Sequence, residues 1–417
     1  MTNNSLKSIS PDGITGMIFA LEGMKNTVVL LNGPMGCRFY HSTTSRFLTI
    51  RPLLYVPGGE GGEKVPVDYN YLNDWFFRQE RVPCTYLDGY DYVYGTREKI
   101  REALEFLKEN IAFELLAIVN SPGAALIGDN LLDLARKVLG SRRVVMLESP
   151  GYSTSFQEGY SLASLELLRQ AGVAIWQGRT KRKHPMRRVN LLGLSLWNRY
   201  FEGDLAELRR LLGLCGIEVN AALCADCSLN ELSALPDADL DLAIYPEMGL
   251  ASARFLEEKL GIPMLVCDAP PVGFSATETL FREICRRLEL SPEPVLEESR
   301  RARALAWYRI NDIHRAYGKP RGVTFFVRAM PSLEKAYTEF LRDYLGMEPA
   351  GAREAELVFS DANVISELML ENKTFCGIEI ALPGMGYLDL VPKTHLGTRG
   401  SLFLIEQVLN GLMSNLS

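Results

Sequence analysis

Three doubly wound, Rossmann-like α/β units are predicted for this chain by two features. Short apolar runs recur with helical patterns between them, and two polar, charged stretches divide the runs into three series. Length agrees, because 417 residues exceed one ordinary core and, at roughly 100 to 200 residues per domain, suggest two or three.

The first series is Thr27 to Leu31, Leu115 to Val119 and Arg143 to Leu147, each reading as a strand buried on both faces. The second is Val189 to Gly193, Glu218 to Leu223, Asp241 to Tyr245 and Pro263 to Cys267, with helices such as Asp204 to Leu214 and Ser252 to Leu260 between. The third opens at Val323 to Val327 and continues through Glu356 to Phe359 and Thr374 to Ile378. Strand alternating with helix means parallel sheets with right-handed crossovers. The basic stretch Gly178 to Arg188 and the charged helix Pro294 to Tyr317 are the linkers, so the units are expected over 1–185, 186–293 and 294–417. Arg51 to Val82 breaks the pattern with glycines and then Tyr69, Tyr71, Trp75, Phe76 and Phe77, and an insertion of this length is usually functional or an interface. A further strand is expected at Tyr90 to Tyr94.

Charge is mixed, with 45 basic against 51 acidic residues, so no broad footprint for nucleic acid is expected. The start Met1 to Lys7 lacks the pattern of a secretory signal, and no stretch reaches the ~18 apolar residues of a membrane span. A cytoplasmic protein is expected, without a membrane partner. Eight cysteines spread over such a chain do not form a disulfide framework.

Cys37 closes a Gly33-Pro34-Met35-Gly36-Cys37 turn after the first strand, and in doubly wound folds ligands collect at the carboxyl ends of strands. Gly33 and Gly36 let the backbone approach a bulky group, and amides of such a turn can hydrogen-bond cluster sulfides. A buried free cysteine after a Gly-Pro turn is the plain alternative. Cys224-Ala225-Asp226-Cys227 has the spacing of zinc, redox and cluster pairs, but without a second pair it reads as structural. Cys215, Cys267, Cys285 and Cys376 fall in apolar patterns and read as core.

Taken in order, several motifs resemble the nitrogenase component 1 superfamily, which includes tetrapyrrole reductases. They are Asn32 to Cys37, Asp91 to Ile100, Ile127-Gly128-Asp129-Asn130, Glu148 to Tyr152 with Gly159-Tyr160, Gly261-Ile262-Pro263, Pro270 to Gly273, and Gly397-Thr398-Arg399-Gly400. The resemblance covers nearly the whole chain and implies three units around a central cavity, with Cys37 as a ligand of an iron–sulfur cluster. Cys37 to His41 is closest to the relative that makes the methanogen nickel tetrapyrrole, which makes His41 a candidate proton donor, a helix-surface histidine being the alternative.

Departures from the family pattern matter as much. Asp12 stands where members place a cysteine 25 residues before this one, and an aspartate can ligate iron as in one of the protochlorophyllide reductase polypeptides; Pro11-Asp12-Gly13 is also an ordinary turn. Ser121-Pro122-Gly123 stands in place of the third cysteine. Cys84, before Tyr90 to Tyr94, is then the compensating thiolate, since two chains each giving Cys37 and Cys84 complete a [4Fe–4S] cluster across a two-fold axis. A heterologous partner supplying thiolates is the competing arrangement, and a plain buried Cys84 a third.

In nitrogenase a cysteine in the second unit and a histidine in the third hold the large cofactor. Here the cysteine position falls at Tyr245, which argues against that cofactor, while His395 is a candidate catalytic residue lining the cavity with Glu247, Lys393 and Arg399. No Gly-x-x-x-x-Gly-Lys-[Ser/Thr] loop is present, so ATP belongs to a partner: a dimeric, ATP-hydrolysing iron protein passes electrons to this chain, itself a homodimer or a heterodimer with a related component 1 chain. The expected activity is low-potential, ATP-coupled reduction of a substrate held between the units. A non-catalytic scaffold for cofactor assembly and a cluster-less small-molecule binder are the alternatives.

Overall fold

The computed structural model describes residues 11–38, 54–55, 65–66, 82–149, 153–371, 374–382, 384, 389 and 391–414. Its first sheet has the strand Thr27–Asn32 at one edge, Leu115–Asn120 in the centre and Arg143–Glu148 at the other edge, all parallel. The first two are buried along their whole length, as expected of six-residue apolar runs with helices on both faces. On one face Val28, Leu30, Leu116 and Ile118 pack on the helices Arg97–Asn110 and Leu131–Leu139. Two helices that pack on each other, Gly13–Glu22 and Phe156–Leu167, contact the same sheet.

The second sheet is Met264–Val266, Leu240–Ala243, Arg187–Leu192 and Ile217–Ala222 in spatial order. The third is Glu348–Pro349, Thr324–Val327, Leu357–Ser360 and Cys376–Glu379, again parallel. The expected runs of all three series thus become strands, shifted by two residues at most. A small antiparallel sheet, formed by Leu54–Tyr55, Val65–Pro66 and Ile111–Ala112, has no counterpart among the expected elements.

Two compact units result. One comprises Pro11–Lys181 with Ala222–Pro236 and carries the first sheet; the other comprises Arg182–Ala221 and Asp237–Ser417 and carries the second and third. The Ala222–Pro236 segment joins the first unit through Gly23, whose carbonyl accepts from Asp226 N and Cys227 N at 2.9 and 3.0 Å. A β-carbon on Gly23 would lie 1.8 Å from the Cys224 carbonyl oxygen, so only glycine permits this approach.

The strand expected at Tyr90 to Tyr94 is instead the helix Gly89–Tyr94. A capping box decides it. Asp88 Oδ1 accepts from Tyr90 N and Asp91 N at 2.8 and 3.2 Å, while Asp91 Oδ2 accepts from Asp88 N at 2.8 Å. These bonds, with Lys99 nearby, hold the Asp88 carboxyl below its usual range. Among the described residues no helix is long and apolar enough to cross a membrane.

Candidate functional site

Cys37 lies in the 3-10 turn Met35–Arg38, just past the carboxyl end of the edge strand Thr27–Asn32. The segment from Val82 to Leu87 runs beside that strand end: Leu31 N donates to Pro83 O, Thr85 N to Leu31 O and Leu87 N to Gly33 O, at 2.8, 3.0 and 3.1 Å. Cys84 is thereby paired with Leu31. Its thiol donates to Gly33 O at 3.1 Å and its sulfur accepts from Tyr86 N at 3.4 Å. Tyr86 takes φ +50°, a conformation uncommon for a bulky residue, and this aims its amide at the sulfur.

Burial first, then the Asp12 carboxylate and Cys84, push the Cys37 thiol up to about 11. Three groups that carry negative charge when ionised are therefore within electrostatic reach of one another. Asp12 also caps the helix Gly13–Glu22, its Oδ1 accepting from Thr15 N and Thr15 Oγ1 at 2.9 and 2.8 Å. His41 lies outside the described residues.

Sequence reasoning missed the polar seam behind the thiols. Asn32 and Asn120, opposite each other at the strand ends, are joined by a 2.9 Å bond, and Thr85 Oγ1 donates to Asn32 Oδ1 at 2.9 Å. Gly33 N donates to Thr85 Oγ1 at 3.1 Å. Ser121 is buried, and its side chain would meet a β-carbon on Gly33 at 2.8 Å, so serine and glycine interlock there; Gly36 has open space instead. A pair of asparagines ending adjacent strands was the available signal.

An aromatic surface adjoins this edge. Tyr90, Val93 and Tyr94 are 68%, 72% and 72% exposed and Leu126 is 89% exposed, while Tyr92 packs over Gly123, two residues beyond Ser121. Two thiols and one carboxylate suit half of a four-thiolate cluster site in donor chemistry. They do not make a whole one, and among the described residues no group of three His, Cys, Asp or Glu side chains is arranged to hold a metal ion.

His395, in the other unit, is fully buried rather than lining an open space. Its Nε2 lies 3.1 Å from the Tyr245 hydroxyl and 3.1 Å from Asp204 Oδ2, and its Nδ1 lies 2.9 Å from the Tyr337 hydroxyl. Its backbone N donates to Asp204 Oδ1 at 3.0 Å, as does Thr394 Oγ1 at 2.7 Å. Burial holds both tyrosines well above the usual phenol range, helped next by the Asp204 charge at Tyr245 and by Tyr200 and then Asp204 at Tyr337, so both stay neutral hydroxyls. Nδ1 thus faces the Tyr337 hydroxyl, while Nε2 faces both Asp204 and Tyr245.

Tyr245, where the resemblance places the cofactor cysteine, is thus bonded to His395, and the residues present do not fit such a group. Glu247 accepts from Ser332 N and Oγ at 2.6 and 2.8 Å, Lys393 pairs with Asp389 at 2.9 Å, and Arg399 is largely exposed. A cleft of about 340 Å³ is lined by Arg199, Tyr200, Glu379, Lys393 and Phe403 among others, and the Tyr200 ring centroid lies 5.3 Å from that of His395.

Residues 13–372 match the family described as nitrogenase component 1 type oxidoreductase. The B-type polypeptide of light-independent protochlorophyllide reductase from Synechococcus sp. (strain WH7803) is 30% identical over 244 residues, 55% of this chain and 45% of that protein. Its counterpart from Synechococcus sp. (strain RCC307) is 27% identical over 340 residues, 77% of this chain and 62% of that protein. These matches span less than two thirds of either relative. The structure "Nitrogenase Cp1 at pH 6.5" superposes with a TM-score of 0.69 over 98% of this chain and 93% of its own, at 14% identity, which establishes a shared fold.

Proposed function

We infer, from a chain that belongs to the nitrogenase component 1 type oxidoreductases, that it is the electron-accepting half of a dimer in which two copies of Cys37 and Cys84 hold a [4Fe–4S] cluster. The observation carrying this reading is an incomplete donor set at one strand edge, beside an exposed aromatic face. A second copy supplies two more thiolates, and burying the aromatic face accounts for its exposure. When bound, the cluster supplies low-potential one-electron transfer. Tyr86 N and Gly33 O orient Cys84, and the Asp12 carboxylate tunes the set from its capping position.

A dimeric, ATP-hydrolysing iron protein delivers the electrons in this reading, and the substrate is reduced within the complex. His41 is the proton donor nearest Cys37 in sequence. His395 serves as an interior proton-holding group behind the Tyr200 cleft. The Tyr245–His395 contact weighs against a scaffold that assembles a nitrogenase-type cofactor at that place.

Iron and sulfide analysis of protein prepared without oxygen tests the proposal. Roughly four irons per dimer are expected. No iron, or an unchanged spectrum and content in Cys84→Ser, overturns the two-cysteine arrangement.

A further inference from the structure

One peptide link at the strand edge is held from both ends. Leu87 N donates to Gly33 O at 3.1 Å, and the carbonyl oxygen of the same link, Tyr86 O, accepts from Lys99 Nζ at 3.2 Å. Tyr86 is the residue with φ +50°, and its own N–H reaches Cys84 Sγ at 3.4 Å. A bulky residue keeps a left-handed backbone only where its surroundings over-determine it. Here the two bonds on the Tyr86–Leu87 link supply that constraint.

Lys99 is the third residue of the helix Arg97–Asn110, at the end whose N–H groups disfavour a cation. Carboxylates offset this. The buried Asp91 has Oδ2 2.5 Å from the Lys99 ammonium, and Asp88 Oδ2 lies 3.6 Å away. Asp91 Oδ2 also accepts from Asp88 N in the capping box of Gly89–Tyr94. One carboxylate therefore fixes both the exposed aromatic helix and the ammonium that grips Tyr86.

From this geometry we propose that Lys99 is a positioning residue for Cys84, keeping the Tyr86 N–H aimed at its sulfur and so setting the potential of the cluster that sulfur ligates. The proposal rests on Cys84 being a cluster ligand. A ligating thiolate has no proton to give Gly33 O, whereas the Tyr86 N–H bond to it persists and becomes charge-assisted. Such a bond favours the more negative, reduced state of a cluster and raises its midpoint potential.

In the full chain prepared free of iron, hydrogen–deuterium exchange at Tyr86 N, resolved by fragmentation mass spectrometry, is expected to quicken about tenfold or more in Lys99→Met. It returns toward the wild-type rate in Lys99→Arg. Exchange along Arg97–Asn110 stays as in the wild type, which separates loss of position from loss of fold. In protein loaded with iron and sulfide without oxygen, redox titration followed by electron paramagnetic resonance is expected to give a lower midpoint potential for Lys99→Met, recovered in Lys99→Arg. An unchanged Tyr86 exchange rate overturns the proposal, and so does an unchanged potential once exchange has quickened. Should Lys99→Met fold poorly, Lys99→Gln, one bond shorter and still polar, carries the same two expectations. Wild type that binds no iron defeats the cluster reading, and the exchange rates then decide for or against Lys99 on their own.

Discussion

Cys37 sits among charged and buried groups that its local sequence does not show. In cluster-free protein its alkylation by iodoacetamide is expected to rise with a midpoint near about 11 instead of 9.0, and Asp12→Asn should lower that midpoint by removing a neighbouring charge. The folded thiol holds its proton more tightly than the unfolded one. Stability is therefore undiminished below pH 9.0 and falls as pH rises toward about 11, which urea midpoints across that range would register. A flat profile would contradict the burial and charge seen around it. At His395 the expectation concerns partners: His395→Ala strands two tyrosine hydroxyls and the Asp204 carboxylate in the interior, costing about 3 kcal/mol in urea unfolding. His395→Gln, which retains donor and acceptor, should recover part of that loss. Neither set of partners was visible in sequence, since Tyr337 and Asp204 lie 58 and 191 residues from His395.

At the scale of elements, two helices show how little room the fold leaves. Gly13–Glu22 and Phe156–Leu167 touch backbone to backbone. A β-carbon on Gly159 would stand 1.9 Å from the Gly13 carbonyl oxygen, and one on Gly16 2.0 Å from that of Phe156. Gly159→Ala must push the helices apart, and a loss of about 1–3 kcal/mol is expected from chemical denaturation. Because Asp12 begins the first of these helices, the shift should also move the Cys37 alkylation midpoint. The strands were legible as apolar runs bounded by turn residues, and the long helix Glu293–Tyr317 as a charged periodic stretch. The segment Gly89–Tyr94 departs from expectation because three tyrosines and a valine favour strand, whereas two aspartates three residues apart satisfy the amides of a helix start.

For the whole molecule, the exposed Tyr90, Val93, Tyr94 and Leu126 carry the prediction about assembly. Tyr90→Glu with Tyr94→Glu places charge on that face while leaving the thiols intact. Sedimentation should shift toward monomer, and iron content should fall with it; a dimer that persists with full iron would place the interface elsewhere. Periodicity, cysteine count and motif order determined by themselves that this is a three-sheet α/β chain of the nitrogenase component 1 kind. These are local or serial properties, written along the chain by burial and turn chemistry. Only the tertiary structure decided that Cys84 is drawn against Gly33 and that Tyr245 and His395 close on each other. The physical reason is that such contacts arise from strand pairing and crossover packing between segments distant in sequence, where hydrogen-bond geometry and excluded volume decide which side chains meet.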